Sequence, residues 1–191
     1  MRIDHVIWKA EDLDRAAARV AAEHGLRDDG GGRHVGIGTY NRVFPLGGGY
    51  LEVLAVADPE EAKASPLGQA IVAASEGLFG WAVAVDDIDA QAARLSLDVT
   101  TIAREDLTAR LAGVAEAVAD PWLPFFIQRD PGIADPGAHG DAGGIARLEL
   151  AADAQRLSVW LDGAELPLRL VEDGGPLGLR ALVLASGAVI S

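Results

Sequence analysis

The chain has 191 residues, 50% hydrophobic and 24% charged, which describes one ordinary domain or two small modules sharing a core and excludes a disordered chain. A formal net charge of -13 with no local basic patch excludes nucleic acid as a partner, because such a chain repels phosphate backbones. The absence of cysteine excludes disulfides, cysteine nucleophiles and thiolate metal sites. No apolar stretch reaches the roughly 20 residues of a membrane helix, and the N-terminal residues show neither a basic leader nor a cleavage site. The expectation is therefore a soluble, cytoplasmic protein with no membrane partner. Lysine occurs only at Lys9 and Lys63 against an excess of arginine, and alanine is abundant. That bias is expected of a GC-rich bacterial genome.

Residues 3–20 read as an apolar strand, an acidic turn and an Ala/Arg-rich helix with Leu13, Ala17 and Val20 on one face. Asp12 is a good N-cap, because its carboxylate accepts from orphan N–H groups of the first turn. Strands are expected at His34–Gly38, Asn41–Leu46 and Tyr50–Val56, with Gly47-Gly48-Gly49 as a tight hairpin between the last two. A linker with Pro59 and Pro66 carries a short helix at Leu67–Ala74. Residues 78–95 then repeat the opening 75 residues later, with Asp87 as the cap and Ile88, Ala92 and Leu95 on the helical face. Strands follow at Val99–Ala103, Arg110–Val118 and Phe125–Arg129. After a Gly/Pro/Asp-rich linker, residues 145–161 give a third, shorter copy with Asp153 before its helix, followed by strands at Leu168–Glu172 and Leu179–Ala185.

The repeat predicts an α+β fold: tandem βαβββ modules forming a curved mixed sheet around a cleft, with a truncated third module at the C-terminus. The expected boundaries are 1–57 and 78–130 for the two modules, 58–77 and 131–144 for the linkers, and 145–191 for the partial third. A single βαβββ unit leaves one concave sheet face uncovered, so two side by side enclose a cleft for a small molecule. No nucleophile elbow, phosphate loop or H-E-x-x-H motif is present, and the Gly-rich segments at 30–32 and 36–38 do not open a helix.

The tandem pattern, with I-D-H-V at 3–6, G-G-R-H-V-G-I-G-T-Y-N-R-V at 31–43, L-G-G-G-Y-L-E-V-L-A-V at 46–56, W-A-V-A-V-D-D-I-D-A at 81–90 and L-P-F-F-I-Q-R-D at 123–130, resembles the glyoxalase-like branch of the vicinal oxygen chelate superfamily. The superfamily includes glyoxalase I, extradiol dioxygenases and bleomycin-resistance proteins. The resemblance implies a divalent metal, with ligands from the first and last strand of each module, and no organic cofactor. On this sequence those positions are His5 and Glu52 in the first module. In the second, the 75-residue offset puts Gly80 opposite His5, and Gln128 falls roughly opposite Glu52. His5, Glu52 and Gln128 thus form the implied metal set, with one ligand lost and one carboxylate replaced by a neutral amide.

His5 and Glu52 are also the catalytic candidates. Strand alternation puts Tyr50, Glu52 and Leu54 on the cleft face; the alternative for Glu52 is a structural ion pair with an arginine such as Arg42. His34 and Asn41 lie in the family's H-x-G-x-G-T-x-N pattern and either orient a polar substrate group or hold a turn. Trp8, Trp81, Phe125 and Phe126 are strand aromatics that either fill the core or line the cleft, with Trp8, Trp81 and Phe126 the candidates to contact substrate. His24 is a helix-end residue before Gly25, and His139 lies in the exposed second linker. Three functions compete: a metal-dependent lyase, isomerase or dioxygenase; a non-catalytic protein that sequesters a small molecule; and an interaction module in which the third copy covers a sheet edge. The chain is expected to work as a monomer or homodimer.

Overall fold

The apolar N-terminal run forms strand β1 (Arg2–Lys9), and Asp12 caps the helix that follows, α1 (Leu13–His24), by accepting from the Arg15 N–H at 3.0 Å. The computed structural model describes residues 1–104 and 107–191. Beyond α1 come β2 (Arg33–His34), β3 (Thr39–Pro45) and β4 (Tyr50–Val56). The first linker holds two short helices, α2 (Pro59–Lys63) and α3 (Pro66–Ala73), each with proline in its first turn, where the missing N–H is harmless. Then β5 (Gly77–Ala84), α4 (Ile88–Leu95), β6 (Val99–Arg104), β7 (Leu107–Ala112), α5 (Val114–Ala119) and β8 (Phe125–Arg129) repeat the first order, with one helix inserted.

Eight strands make one mixed sheet in the order β2-β3-β4-β1-β5-β8-β7-β6. β1 lies parallel to β4 and antiparallel to β5, and β5 lies parallel to β8, so each half has the same internal order. The two halves join through β1 and β5. This is the curled α+β sheet expected of paired βαβββ units.

Two strand expectations change. The segment expected as a strand from 110 to 118 stops at Gly113, whose φ of +80° turns the chain out of the sheet and lets the Ala-rich V-A-E-A-V-A run coil as α5. The strand expected at 34–38 ends at His34. The turn after it reaches Gly38, at φ +74°, where a Cβ would lie 2.5 Å from the Asp58 carbonyl oxygen, so only glycine lets α2 dock there.

The third copy builds its own sheet. β9 (Ile145–Ala151), α6 (Ala154–Trp160), β10 (Leu168–Leu170), β11 (Gly178–Leu184) and β12 (Val189–Ile190) pair in the order β10-β9-β11-β12. It pairs with neither edge of the larger sheet. It packs instead against the outer, helix-bearing face, where Leu148, Leu150, Leu157, Trp160 and Leu182 share one continuous core with Val6, Leu51, Val53, Val83 and the buried faces of α1 and α4. Trp160 stacks on Phe126 at 5.8 Å and donates its indole N–H to the Pro124 carbonyl at 2.8 Å. Arg94 of α4 donates to the carbonyls of Val159 and Trp160. The reading in which this copy covers a sheet edge is thus corrected: it covers a face. Buried side chains of this size contribute about 1.5–3 kcal/mol each by leaving water, so this layer is an integral part of the core.

Candidate functional site

The concave face of the eight-stranded sheet is lined almost entirely by hydrocarbon. Ile7, Leu54, Phe79, Ile102, Leu111, Phe125 and Ile127 come from the strands. Leu67 and Ile71 of α3 close one side, and Val114, Ala117 and Val118 of α5 close another. The cavity they enclose has a volume of about 130 Å³. Polar groups gather on the first half of the sheet, where His5, His34, Thr39, Asn41, Tyr50 and Glu52 line the same space.

Alternation along β4 places Tyr50, Glu52 and Leu54 on the cleft face, while Leu51, Val53 and Ala55 enter the core. Glu52 is only 7% exposed. Its Oε1 accepts from the Asn41 amide at 2.5 Å, and its two oxygens are bracketed by imidazoles: His5 Nε2 lies 3.6 Å from Oε2 and His34 Nε2 lies 3.6 Å from Oε1. Arg42, the alternative partner for Glu52, pairs instead with Asp14 and Asp28 on the surface. Asn41 is fixed from behind. Its side-chain oxygen accepts from the Gly32 N–H at 2.8 Å, and a Cβ on Gly31 would collide with its backbone carbonyl, so the glycine run is what lets that loop reach it. His34 is held through Nδ1 at 2.8 Å from the Thr39 hydroxyl.

His5 is held by a group that pattern reading passes over. The pairing of β1 with β5 slips between Ile3 and His5, so Asp4 is an extra, bulged residue. The bulge turns its carboxylate inward, where it is fully buried. Asp4 Oδ1 lies 2.7 Å from His5 Nδ1, and both carboxylate oxygens take the Arg129 guanidinium in a two-pronged pair. Burial pushes the Asp4 carboxyl up, but the hydrogen bonds and charges of Arg129 and His5 outweigh it and hold it well below the usual carboxylate range. Burial likewise acts to lower Arg129, and its bond to Asp4 overrides this and raises it. Tyr50 stacks on the His5 ring at 4.6 Å, and its buried hydroxyl has its pKa raised, first by burial and then by Asp4 and Glu52. Phe125 meets the other side of the ring edge-on at 5.5 Å. The imidazole is therefore clamped with Nδ1 toward a carboxylate and Nε2 toward the cleft.

Four of the residues expected in the cleft lie together there: His5, Glu52, His34 and Asn41. Three others need correction. Gln128 is turned away from the cleft, where its amide donates to the Asp86 carbonyl at 2.5 Å and accepts from the Ile88 N–H at 3.2 Å, capping α4. The cause is a strand register one residue off: Phe125 and Ile127 face the cleft, so Phe126 and Gln128 face the helices. Phe126 belongs to the core under Trp160. Trp8 also packs in that core, with the Arg19 guanidinium over its ring. Trp81, also expected there, forms the cleft floor; it is fully buried and donates to the Trp122 carbonyl. Asp4 and Arg129 are not among the expected site residues, whereas Tyr50 lies on the cleft face as alternation expects and Phe125 resolves to the cleft rather than the core. Alternation would have found Arg129, since placing Phe125 on the cleft face puts Arg129 on the same side of β8, from where it grips Asp4 behind His5.

Pairing registers identify the true counterparts across the repeat. Glu52 sits opposite Ile7, and Phe125 sits opposite Ala82, the residue 75 positions after Ile7. The second half therefore offers Gly80 and Phe125 where the first offers His5 and Glu52. Neither binds a metal. Among the described residues no group of three or more His, Asp or Glu side chains is arranged to hold an ion. The side chains present do not fit a metal site shared between the two modules.

A family model described as a glyoxalase-like domain matches residues 3–164. The chain belongs to the glyoxalase-like domain family. That family falls within the vicinal oxygen chelate superfamily. No curated protein matches this glyoxalase-like chain in sequence. Among solved structures, a hypothetical protein from Staphylococcus aureus is 17% identical with a TM-score of 0.74, over 98% of this chain and 97% of the other. A variant of methylmalonyl-CoA epimerase from Streptomyces coelicolor in complex with 2-nitronate-propionyl-CoA is 19% identical with a TM-score of 0.55, over 67% of this chain and 96% of its own. The Mycobacterium tuberculosis methylmalonyl-CoA epimerase is 15% identical with a TM-score of 0.52, over 69% and 88%. At these identities the likeness is one of fold. The difference in coverage shows that the staphylococcal protein matches nearly the whole chain, whereas the epimerases match about two thirds of it. No helix among the described residues is long and apolar enough to cross a membrane.

Proposed function

We propose that this protein binds a small molecule in the cleft of the eight-stranded sheet and exchanges a proton with its polar head through Glu52 and His5. The carrying observation is the clamp on His5: an imidazole fixed by Asp4 and Arg129, with Nε2 held 3.6 Å from a buried carboxylate at the polar end of an otherwise apolar cavity. A buried carboxylate close to a rigid imidazole is a proton-transfer pair, and apolar walls keep water from competing. Epimerisation, the activity in the names of several structural neighbours, moves a proton off a carbon and back. Here Glu52 is the base that takes such a proton from the carbon beside a carbonyl. Asn41 holds Glu52 in place, and His5, fixed through Nδ1 by Asp4, accepts with Nε2 the hydrogen of the substrate's hydroxyl beside that carbonyl. The metal-dependent lyase, isomerase and dioxygenase reactions implied by the resemblance require a donor set that the second half does not supply. A second reading, sequestration without chemistry, is favoured by the featureless wall that Gly80 and Phe125 contribute.

One experiment separates these readings. The protein is incubated in D2O with small uncharged hydroxyketones, such as acetoin and 2-hydroxyacetophenone, and deuterium entry at the carbon beside the carbonyl is followed by NMR. Proton transfer by Glu52 requires protein-dependent exchange that Glu52→Gln lowers by about 10²–10⁴-fold. Binding without exchange supports sequestration. An absence of both contradicts the proposal.

A further inference from the structure

The two acceptors at the head of the cleft say what kind of group they receive. Asp4 is held as a carboxylate, so the hydrogen between it and His5 belongs to Nδ1 of the imidazole. In the neutral ring this leaves Nε2 as a lone pair, and it faces Glu52 Oε2, also an acceptor, at a distance too long for a hydrogen bond. Oε2 takes no hydrogen bond from the described residues, while Oε1 is bonded to Asn41. Two lone pairs aimed at one gap in a desolvated cavity ask for a donor.

Charge gives an independent reading of the same space. The cleft lining among the described residues contains no lysine and no arginine. Arg129 reaches the site only from behind, and its charge is already matched by Asp4. Among the described residues of the lining Glu52 is thus the one carboxylate, accompanied by His5, His34, Thr39, Asn41 and Tyr50 and otherwise by hydrocarbon. An anionic ligand entering there would meet a carboxylate with no lysine or arginine among the described lining residues to offset it, in surroundings that screen poorly.

Resting on the cleft reading above, we propose that the ligand is a small uncharged molecule with an apolar body and a hydroxyl or N–H head, and that this head donates into the gap between His5 Nε2 and Glu52 Oε2. This class excludes carboxylates, phosphates and acyl-CoA thioesters, and so separates this chain from the epimerases whose fold it shares.

Trp81 forms the cleft floor, so its fluorescence reports entry. The whole protein is titrated at pH 7.5 with benzyl alcohol, benzoate and benzyl methyl ether, which share a body and differ in head. Benzyl alcohol is expected to bind at least about tenfold more tightly than the anion, which meets Glu52, and than the ether, which leaves both acceptors unpaired. Glu52→Gln removes the charge and supplies a donor, and is expected to bring benzoate within about threefold of the alcohol. Benzoate binding as tightly as benzyl alcohol, or an ether equal to the alcohol, overturns the assignment of ligand class. Ile71→Trp, with Leu67→Trp as a second filling variant in case the first does not fold, is expected to abolish binding of all three. Binding that survives both substitutions, or no binding of any probe, overturns the cleft reading itself.

Discussion

In the first half of the eight-stranded sheet, His5 and Glu52 face the cleft from β1 and β4; in the second half the matching positions on β5 and β8 are Gly80 and Phe125. The backbones repeat strand for strand, with an aspartate cap ahead of both α1 and α4. The chemistry does not repeat. One half holds the polar cluster and the other provides hydrocarbon, with a single contribution to the cluster: Arg129 at the end of β8, which grips Asp4 across the module junction. A duplicated scaffold thus supplies two equivalent positions, and only one has kept groups able to act on a ligand. The second half acts on the site by holding it still.

That division can be broken most forcefully at Arg129. Arg129→Met leaves Asp4 buried with no cation, and a lost partner of this kind costs about 3–5 kcal/mol, to be read by denaturant unfolding. Combining it with Asp4→Asn is expected to restore part of that loss, because the stranded charge is gone. Acid acts on the same pair. The Asp4 carboxyl is depressed in the folded protein, so its contribution is complete above the ordinary carboxylate value of 3.8 and falls away as pH drops from there toward its folded value. An unfolding midpoint followed downward from pH 5 is expected to fall less steeply in Asp4→Asn than in the parent.

Making the halves chemically alike sharpens the comparison. Phe125→Glu places a carboxylate at the counterpart of Glu52, and Mn²⁺ affinity followed by electron paramagnetic resonance is expected to rise at least about tenfold. Gln128→Glu, one of the outward-facing residues of β8, is expected to leave Mn²⁺ affinity unchanged. It should instead cost about 1 kcal/mol of stability, because the new side chain cannot donate to the Asp86 carbonyl. The smallest effect lies farthest from the site. Asp153→Ala removes the cap of α6 and is expected to cost about 1 kcal/mol in thermal unfolding, with cleft binding unaltered.

Much of this was legible from periodicity. The strand–Asp–helix repeat places every long element of both halves, and alternation along Tyr50–Val56 puts Glu52 in the cleft. The errors have local causes. A rough correspondence of last strands points to Gln128, but a one-residue slip in register reverses every side chain on β8. Asp4 was invisible for a related reason: strict alternation allows no residue to be inserted, and the bulge that turns it toward His5 appears only once β1 is paired with β5. α5 was read as strand because a six-residue run of Val and Ala carries no period of its own, and Gly113 decides the outcome. The third copy was recognised as a repeat, but which surface it covers depends on Trp160 finding Phe126, a contact between distant segments.

The claim at the centre of this account is that the polar half of the cleft receives the ligand through a rigidly oriented His5. Imidazole ¹⁵N NMR of the whole protein tests it directly. The account requires His5 to carry its hydrogen on Nδ1 at neutral pH, with Nε2 as an unprotonated acceptor whose resonance moves as benzyl alcohol is added. A hydrogen on Nε2 in the free protein, or an Nε2 signal that stays fixed while the ligand binds, would contradict it.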